Sequence, residues 1–362
     1  MRKMKELVIG NLIAKLPIIQ GGMGVGVSLS GLAAAVANMG GIGVIAAAGL
    51  GLFEPDGYSN YFEANIRAMR KEIQKARAMT LGILGVNIMV ALSNYGDFVR
   101  TAIEEKIDII FSGAGLPLNL PEFLNGSSQT KLVPIVSSGR AANIIIKKWF
   151  DRYQYVPDAI VVEGPLAGGH LGYKYDEIED PKFALENILA EVLSVVKPYI
   201  ERFGRDIPVI AGGGIYTGAD IKRFMDLGAS GVQMGTRFVT TVECDASTAF
   251  KEAYINATEA DIGIIKSPVG MPGRAIKNRF IAQVEAGEKM PFSCPYHCIV
   301  TCDRINSPYC IALALMNAHK GDFKNGFAFS GANAYRAEEI ISVEELVNQL
   351  DAEYNEAVLI KQ

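Results

Sequence analysis

The chain has 362 residues, 49% hydrophobic and 20% charged, enough to bury a large core. A net charge of -4 and a pI near 5.6 argue against nucleic acid as the main partner, and Lys and Arg form no sustained basic run. The basic start MRKMKELVIG is followed by no apolar h-region, so no secretory signal and a cytoplasmic location are expected.

Residues 16–53 carry no charge, long enough for the roughly 20 apolar residues of a membrane span. Glycine pairs at 21–22 and 40–41, with Ser28 and Ser30, divide the stretch instead into strand, short helix and strand. Residues 16–20 read as the first strand. Ser28 or Ser30 is expected to cap a helix over 32–38, and 42–46 is the second strand. An insertion with a charged amphipathic helix over 61–78 follows. Strands are then expected at 82–87, 107–111, 132–136, 158–162, 208–211 and 232–234, with helices over 97–105, 121–124, 140–150, 182–203, 220–227 and 246–255.

These are eight apolar runs, mostly without period-2 alternation, separated by helical stretches. Such strands are covered on both faces. The pattern predicts an α/β fold, a TIM (β/α)8 barrel, with a doubly wound open sheet as the alternative. Residues 1–260 are expected to form the barrel. Residues 261–362 break the pattern and are expected to form a C-terminal lid or subdomain packed on its mouth, with helices over 311–318 and 343–353.

The organising stretch is 157–238. Three of its apolar runs end in glycine-bearing loops: GPLAGGHLG, AGGGIYTG and MGTRF. The bare N–H groups of Gly212–Gly213–Gly214 and of Gly235–Thr236, with a helix starting near Thr217, predict a phosphate cradle shared by two adjacent strand ends. In an eight-stranded barrel that site follows strands seven and eight.

Of the three histidines, His170 stands directly after a strand and beside Gly168 and Gly169. Its titration range suits general acid or base work there, and the open glycines would admit a flat ligand. Asn87 ends a strand in GVN and can both donate and accept at the edge of a planar heterocycle. Gly22 and Met23 allow close backbone approach and a soft contact to a flat ring. Glu163 ends the sixth strand, where it could accept hydroxyl protons, hold the His170 loop, or simply bond nearby N–H groups.

Taken in order, PIIQGGMG, GIGVIAA, GVNIM, VVEGPLAGGHLG, VIAGGGIYTGADI, GVQMGTRFVTTVEC and GRAIKN resemble the nitronate monooxygenase family, formerly 2-nitropropane dioxygenases, over roughly residues 8–280. The family also holds flavin-dependent enoyl-ACP reductases and NAD(P)H:quinone reductases. The resemblance implies FMN bound non-covalently at the C-terminal face of the barrel. Gly22, Met23 and Asn87 would face the flavin, and Glu163, Gly168 and Gly169 would line it. Gly212, Gly214, Gly235 and Thr236 would hold its phosphate, and His170 would be the active-site base or electrostatic partner. Leu166 stands where the family often has an acid, which bears on the substrate. The implied activity is oxidation of alkyl nitronates with O2. The runner-up is NAD(P)H-dependent reduction of an enoyl thioester or quinone. Readings from other classes are a non-catalytic flavin or phosphate-ligand binding protein and a phosphosugar isomerase-type barrel.

Cys294, Cys298, Cys302 and Cys310 cluster as C-x3-C-x3-C-x7-C, with His297 among them. A cytoplasmic context disfavours disulfides, so Zn or an iron–sulfur cluster is weighed against small buried residues anchoring the lid. Cys244 stands apart. A small-molecule substrate is expected, with no membrane partner, and the apolar C-terminal elements are candidates for a homodimer contact.

Overall fold

The computed structural model describes residues 4–126, 129–288, 292, 294 and 296–360. A hairpin opens the chain, β1 (Leu7–Ile9) and β2 (Leu12–Ala14). Strands and helices then alternate: β3 (Ile18–Gln20), α1 (Ser30–Asn38), β4 (Ile42–Ala46), α2 (Tyr61–Met79), β5 (Ile83–Met89), α3 (Tyr95–Glu104), β6 (Ile109–Gly113), β7 (Lys131–Val136), α4 (Gly139–Tyr153) and β8 (Ile160–Glu163). A two-residue strand, β9 (Gly169–His170), precedes α5 (Leu185–Phe203), β10 (Val209–Gly212), α6 (Gly218–Asp226) and β11 (Gly231–Met234).

The strands pair in the order β10-β11-β3-β4-β5-β6-β7-β8 and close, all in parallel. Each strand expected from the sequence is present, and closure decides for the TIM barrel over the open sheet. The barrel interior is filled by Ile19, Ile42, Val44, Ile109, Phe111, Val133, Val161 and Ile210, with Leu7 and Ile9 of the hairpin packed into the same cluster. Their strand neighbours Ile45, Val86, Ile110, Leu132, Ile160 and Val232 join the second, larger core with the helices. Burial on both faces explains the unbroken apolar runs.

Helix α1 is not capped by Ser28 or Ser30. Its N-terminal N–H groups at Leu29, Gly31 and Leu32 donate to the Asp245 carboxylate at 2.7–3.1 Å, while that of Ser30 donates to Glu72 at 3.0 Å. The Ser28 hydroxyl serves the Met23 N–H instead, at 2.8 Å. A partner more than two hundred residues away has replaced the local cap.

Beyond β11 come α7 (Thr236–Val239), α8 (Thr248–Ile255), β12 (Ile262–Lys266), β13 (Pro272–Ile276), α9 (Arg279–Glu285), α10 (Ile311–His319) and α11 (Val343–Ile360). β13 pairs antiparallel with β12 on one side and β9 on the other, setting Gly273 opposite His170 and Arg274 opposite Gly169. The C-terminal part thus grips the loop that carries His170. Helix α11 packs along α6 on the outside of the barrel. Among the described residues no helix is long and apolar enough to cross a membrane.

Candidate active site

The C-terminal strand ends open onto a cavity of 480 Å3, a size that suits a small-molecule or cofactor site. Gly22, Met23, Asn87, Glu163, Gly168, Gly169, His170, Gly214, Gly235 and Thr236 all line it. Gly212 does not. It lies buried within β10, where its carbonyl accepts from Gly164 N–H at 2.8 Å, and Gly213 lines the wall in its place.

Gly213 and Gly214 take φ of +101° and +80°, backbone that L side chains rarely adopt. A Cβ on Gly214 would stand 2.9 Å from Leu166 Cβ. The cradle differs from expectation at α6. The N–H groups of Tyr216 and Thr217 donate to Asp220, and that of Gly218 to Glu353. That helix start is already satisfied by carboxylates, so it offers an anion nothing. The free donors are in the Gly213–Gly214 loop and at the turn opening α7, where the N–H groups of Gly235 and Thr236 bond no other described residue.

Facing them is the segment 330–333 of the C-terminal part. Gly331 N–H donates to Thr236 Oγ1 at 2.9 Å, and the Asn333 amide to Gly214 O at 2.7 Å. Ser330 Oγ lines the cavity, buried and without a hydrogen-bond partner. A glycine is required at 168, where a Cβ would meet Gly331 N at 2.6 Å. Gly22 is equally constrained, because a Cβ there would collide with Asn87 Cβ. The Met23 side chain lies over Gly235, its sulfur 3.4 Å from where a Cβ would be.

His170 Nε2 stands 2.7 Å from Ser267 Oγ, and its ring meets Phe329 edge to face, centroids 5.0 Å apart. Burial pulls its pKa down to about 4, so the imidazole is neutral at neutral pH. Glu163 makes no hydrogen bond or ion pair through its carboxylate among the described residues, which removes the N–H-bonded reading; burial pushes its pKa up to about 7. Arg274, 7% exposed, donates to the carbonyls of Pro165 and, at 3.0 Å, Ala167. It is the residue that shapes the 165–170 loop. Its motif was quoted from the sequence, but its role is visible only once β13 is placed beside β9. His297 and His319 do not line the cavity.

All five cysteines are free. Among the described residues no three His, Cys, Asp or Glu side chains are placed to hold a metal ion, so the zinc or iron–sulfur site expected at Cys294, Cys298, Cys302 and Cys310 is corrected. Zinc is bound by thiolates gathered about one point. Here burial instead raises the pKa of the Cys298 thiol to about 12 and those of the Cys302 and Cys310 thiols above their ordinary value.

The family model described as nitronate monooxygenase matches residues 5–353. A probable nitronate monooxygenase of Staphylococcus aureus is 29% identical over 311 residues, covering 76% of this chain and 79% of that protein. A hydroxy-methyl-oxo-octahydroindene-carboxyl-CoA dehydrogenase of Mycobacterium tuberculosis is 28% identical over 273 residues, covering 75% and 66%. The solved structure of FabK from Thermotoga maritima superposes with a TM-score of 0.73 at 28% identity, over 95% of this chain and 94% of that one. With that match spanning the barrel and the segments that close its mouth, the chain belongs to the nitronate monooxygenase family and is an oxidoreductase.

Proposed function

We propose that the protein binds FMN in this cavity and oxidises alkyl nitronates with O2. The observation that carries the reading is the glycine cradle at Gly213–Gly214 and Gly235–Thr236, with free N–H donors and the unpartnered Ser330 hydroxyl, at one end of a cavity that has a neutral imidazole in its wall. The residues fit the group. Among the described residues no Lys or Arg lines the cavity, so a phosphate there would depend on backbone N–H groups, which suit an anion. Gly22 and Met23 would leave room for a flat ring, and Asn87, which lines the same cavity, would offer its amide to the ring's edge.

Bound FMN would supply a two-electron acceptor that O2 can reoxidise. The chain's own residues do the rest. The cradle fixes the phosphate end and so the lateral position of the ring. His170, held by Ser267 and Phe329, offers one neutral nitrogen to take or lend a proton. Glu163, titrating near neutrality without a partner, can hold a proton or accept hydroxyl hydrogen bonds.

A second reading is reduction of an enoyl thioester with NAD(P)H as electron donor. It is favoured by the likeness to FabK over most of both chains and by a cavity wall of Leu92, Ile135, Ile311 and Leu315, apolar enough for an acyl chain. Anaerobic mixing of the flavin-loaded protein with separate donors tests both. Bleaching by a nitronate alone supports the first reading, and rapid bleaching by NADH or NADPH supports the second. Folded protein that takes up no FMN overturns both.

A further inference from the structure

A second cavity, of 440 Å3, shares no lining residue with the first. The three segments that build the cradle also build this one. Tyr216 lines it two residues beyond Gly214, Arg237 lines it directly after Thr236, and Tyr335 and Arg336 line it just past Asn333. The functional reading above uses none of these four side chains.

Tyr216 is 5% exposed, and its hydroxyl is buried with no hydrogen-bond partner among the described residues. A buried polar group in that state calls for a partner from outside the chain. The guanidinium carbons of Arg336 and Arg237 stand over the Tyr216 ring, 4.6 and 4.9 Å from its centroid. Arg336 is exposed, and its guanidinium makes no hydrogen bond or ion pair among the described residues. That of Arg237 donates to Gln349 Oε1 at 2.9 Å. A guanidinium carries five N–H donors, so most of both sets are unused. Burial raises the Tyr216 pKa above its ordinary value against the pull of both cations, so the hydroxyl keeps its proton to donate. Two carboxylates stand on the rim. Glu353 accepts from Gly218 N–H at 2.6 Å, and the exposed Glu338 pairs with no cation among the described residues. A hydroxyl donor and two cations without a shared carboxylate match an anion of several oxygens, and the arginine fork fits phosphate.

We propose that this second cavity binds the phosphate group of a phosphorylated small molecule, with Tyr216 Oη, Arg237 and Arg336 donating to its oxygens. The ester's remaining part lies against Glu338, which accepts from sugar hydroxyls, and the half-buried Tyr335, whose ring covers a flat or apolar face. The site is separate from the cradle and does not depend on the functional reading above.

The test is isothermal titration calorimetry of the full chain with inorganic phosphate, before and after FMN is added. A phosphate site is expected to remain in the presence of FMN. Arg336→Gln, at an exposed position, should weaken it about tenfold or more. Tyr216→Phe should weaken it about threefold or more. In phosphate-free buffer Tyr216→Phe should be at least as stable to urea as the parent, because it deletes a hydroxyl that bonds nothing. No binding by the parent at up to ~10 mM phosphate overturns the proposal. So does equal binding in the parent and both variants. A Tyr216→Phe that is less stable without phosphate also overturns it, since the hydroxyl would then already have a partner. Phosphate that FMN displaces and Arg336→Gln retains belongs to the cradle and overturns it too. Phosphate binding that Arg336→Gln removes, in a chain that takes up no FMN, sinks only the functional reading. Ribose 5-phosphate, and NADPH against NADH, are titrated in the same way to identify the ester. Tighter binding of ribose 5-phosphate than of inorganic phosphate supports a sugar phosphate. A preference for NADPH over NADH that Arg336→Gln abolishes supports the nucleotide's extra phosphate. Esters that bind no more tightly than inorganic phosphate overturn the assignment to an ester.

Discussion

His170 Nε2 and Ser267 Oγ stand 2.7 Å apart, and the Val269 N–H donates to the same oxygen at 3.4 Å. Ser267 is the imidazole's polar side-chain partner among the described residues, so it sets both the ring's orientation and which nitrogen carries the proton. Ser267→Ala is expected to lower kcat about tenfold, the equivalent of one hydrogen bond, with KM moved by less than about twofold. Steady-state kinetics with the preferred substrate checks this. An unchanged kcat would remove the pair from the chemistry.

Glu163 and His170 make stability depend on pH in opposite directions. The His170 pKa is depressed to about 4, so between its unfolded value and pH 4 only the unfolded chain gains the proton, and the fold loses stability as pH falls. The Glu163 pKa is raised to about 7, so between its unfolded value and pH 7 only the unfolded chain releases the proton, and the fold loses stability as pH rises. Each is worth up to about 3 kcal/mol at its extreme. Urea midpoints of flavin-free Glu163→Gln should exceed those of the parent most above pH 7. His170→Asn should lose the acid decline below pH 6. If Glu163→Gln shifts the midpoint equally at pH 5 and pH 8, the carboxyl is not held neutral by burial.

Arg274 spans from β13 to the carbonyls of Pro165 and Ala167, buried and without an ion pair among the described residues. Arg274→Ala leaves those carbonyls unsatisfied beside a void and is expected to cost about 3 kcal/mol. Arg274→Lys keeps the charge but loses the planar guanidinium, whose Nη1 alone donates to both carbonyls. It should remain folded and bind FMN more weakly. Chemical denaturation and flavin fluorescence separate the two effects. Full flavin affinity in Arg274→Lys would show that the loop holds its shape without the guanidinium.

The barrel was legible because its strands are buried on both faces, so each left a compact apolar run bounded by glycine. The loop after β10 was legible because glycine tolerates the φ of Gly213 and Gly214. What the sequence hid are partners brought from a distance. Nothing near Leu29 announces that Asp245 caps α1, and nothing near Gly168 announces Ser330 and Gly331. The capping box at Thr217 and Asp220 is a local pattern, but that it occupies the N–H groups expected for an anion follows only from seeing where the carboxylate points. Gly212 lies in β10 and not in the loop after it, because the end of a strand is not marked as sharply as its apolar run.

Gly168 and Gly169 are neighbours with different reasons to be glycine, and substitution separates them. A Cβ at Gly168 would meet backbone, Gly331 N and Ser330 C, each at 2.6 Å, and backbone cannot rotate aside. Gly331 in turn donates to Thr236 in the cradle, so Gly168→Ala should displace that contact. Its FMN affinity is expected to fall tenfold or more, about 1.4 kcal/mol or above. Gly169 has φ of +76° and nothing within 4 Å of its Cβ position, so Gly169→Ala meets only backbone strain. That strain costs about 1 kcal/mol of stability and leaves the cradle in place. Fluorescence titration of flavin-free protein with FMN, beside urea denaturation, reads both quantities. Weaker FMN binding in Gly169→Ala than in Gly168→Ala would mean that the glycines serve the ligand through their conformation, and that the 330–331 segment is free to yield.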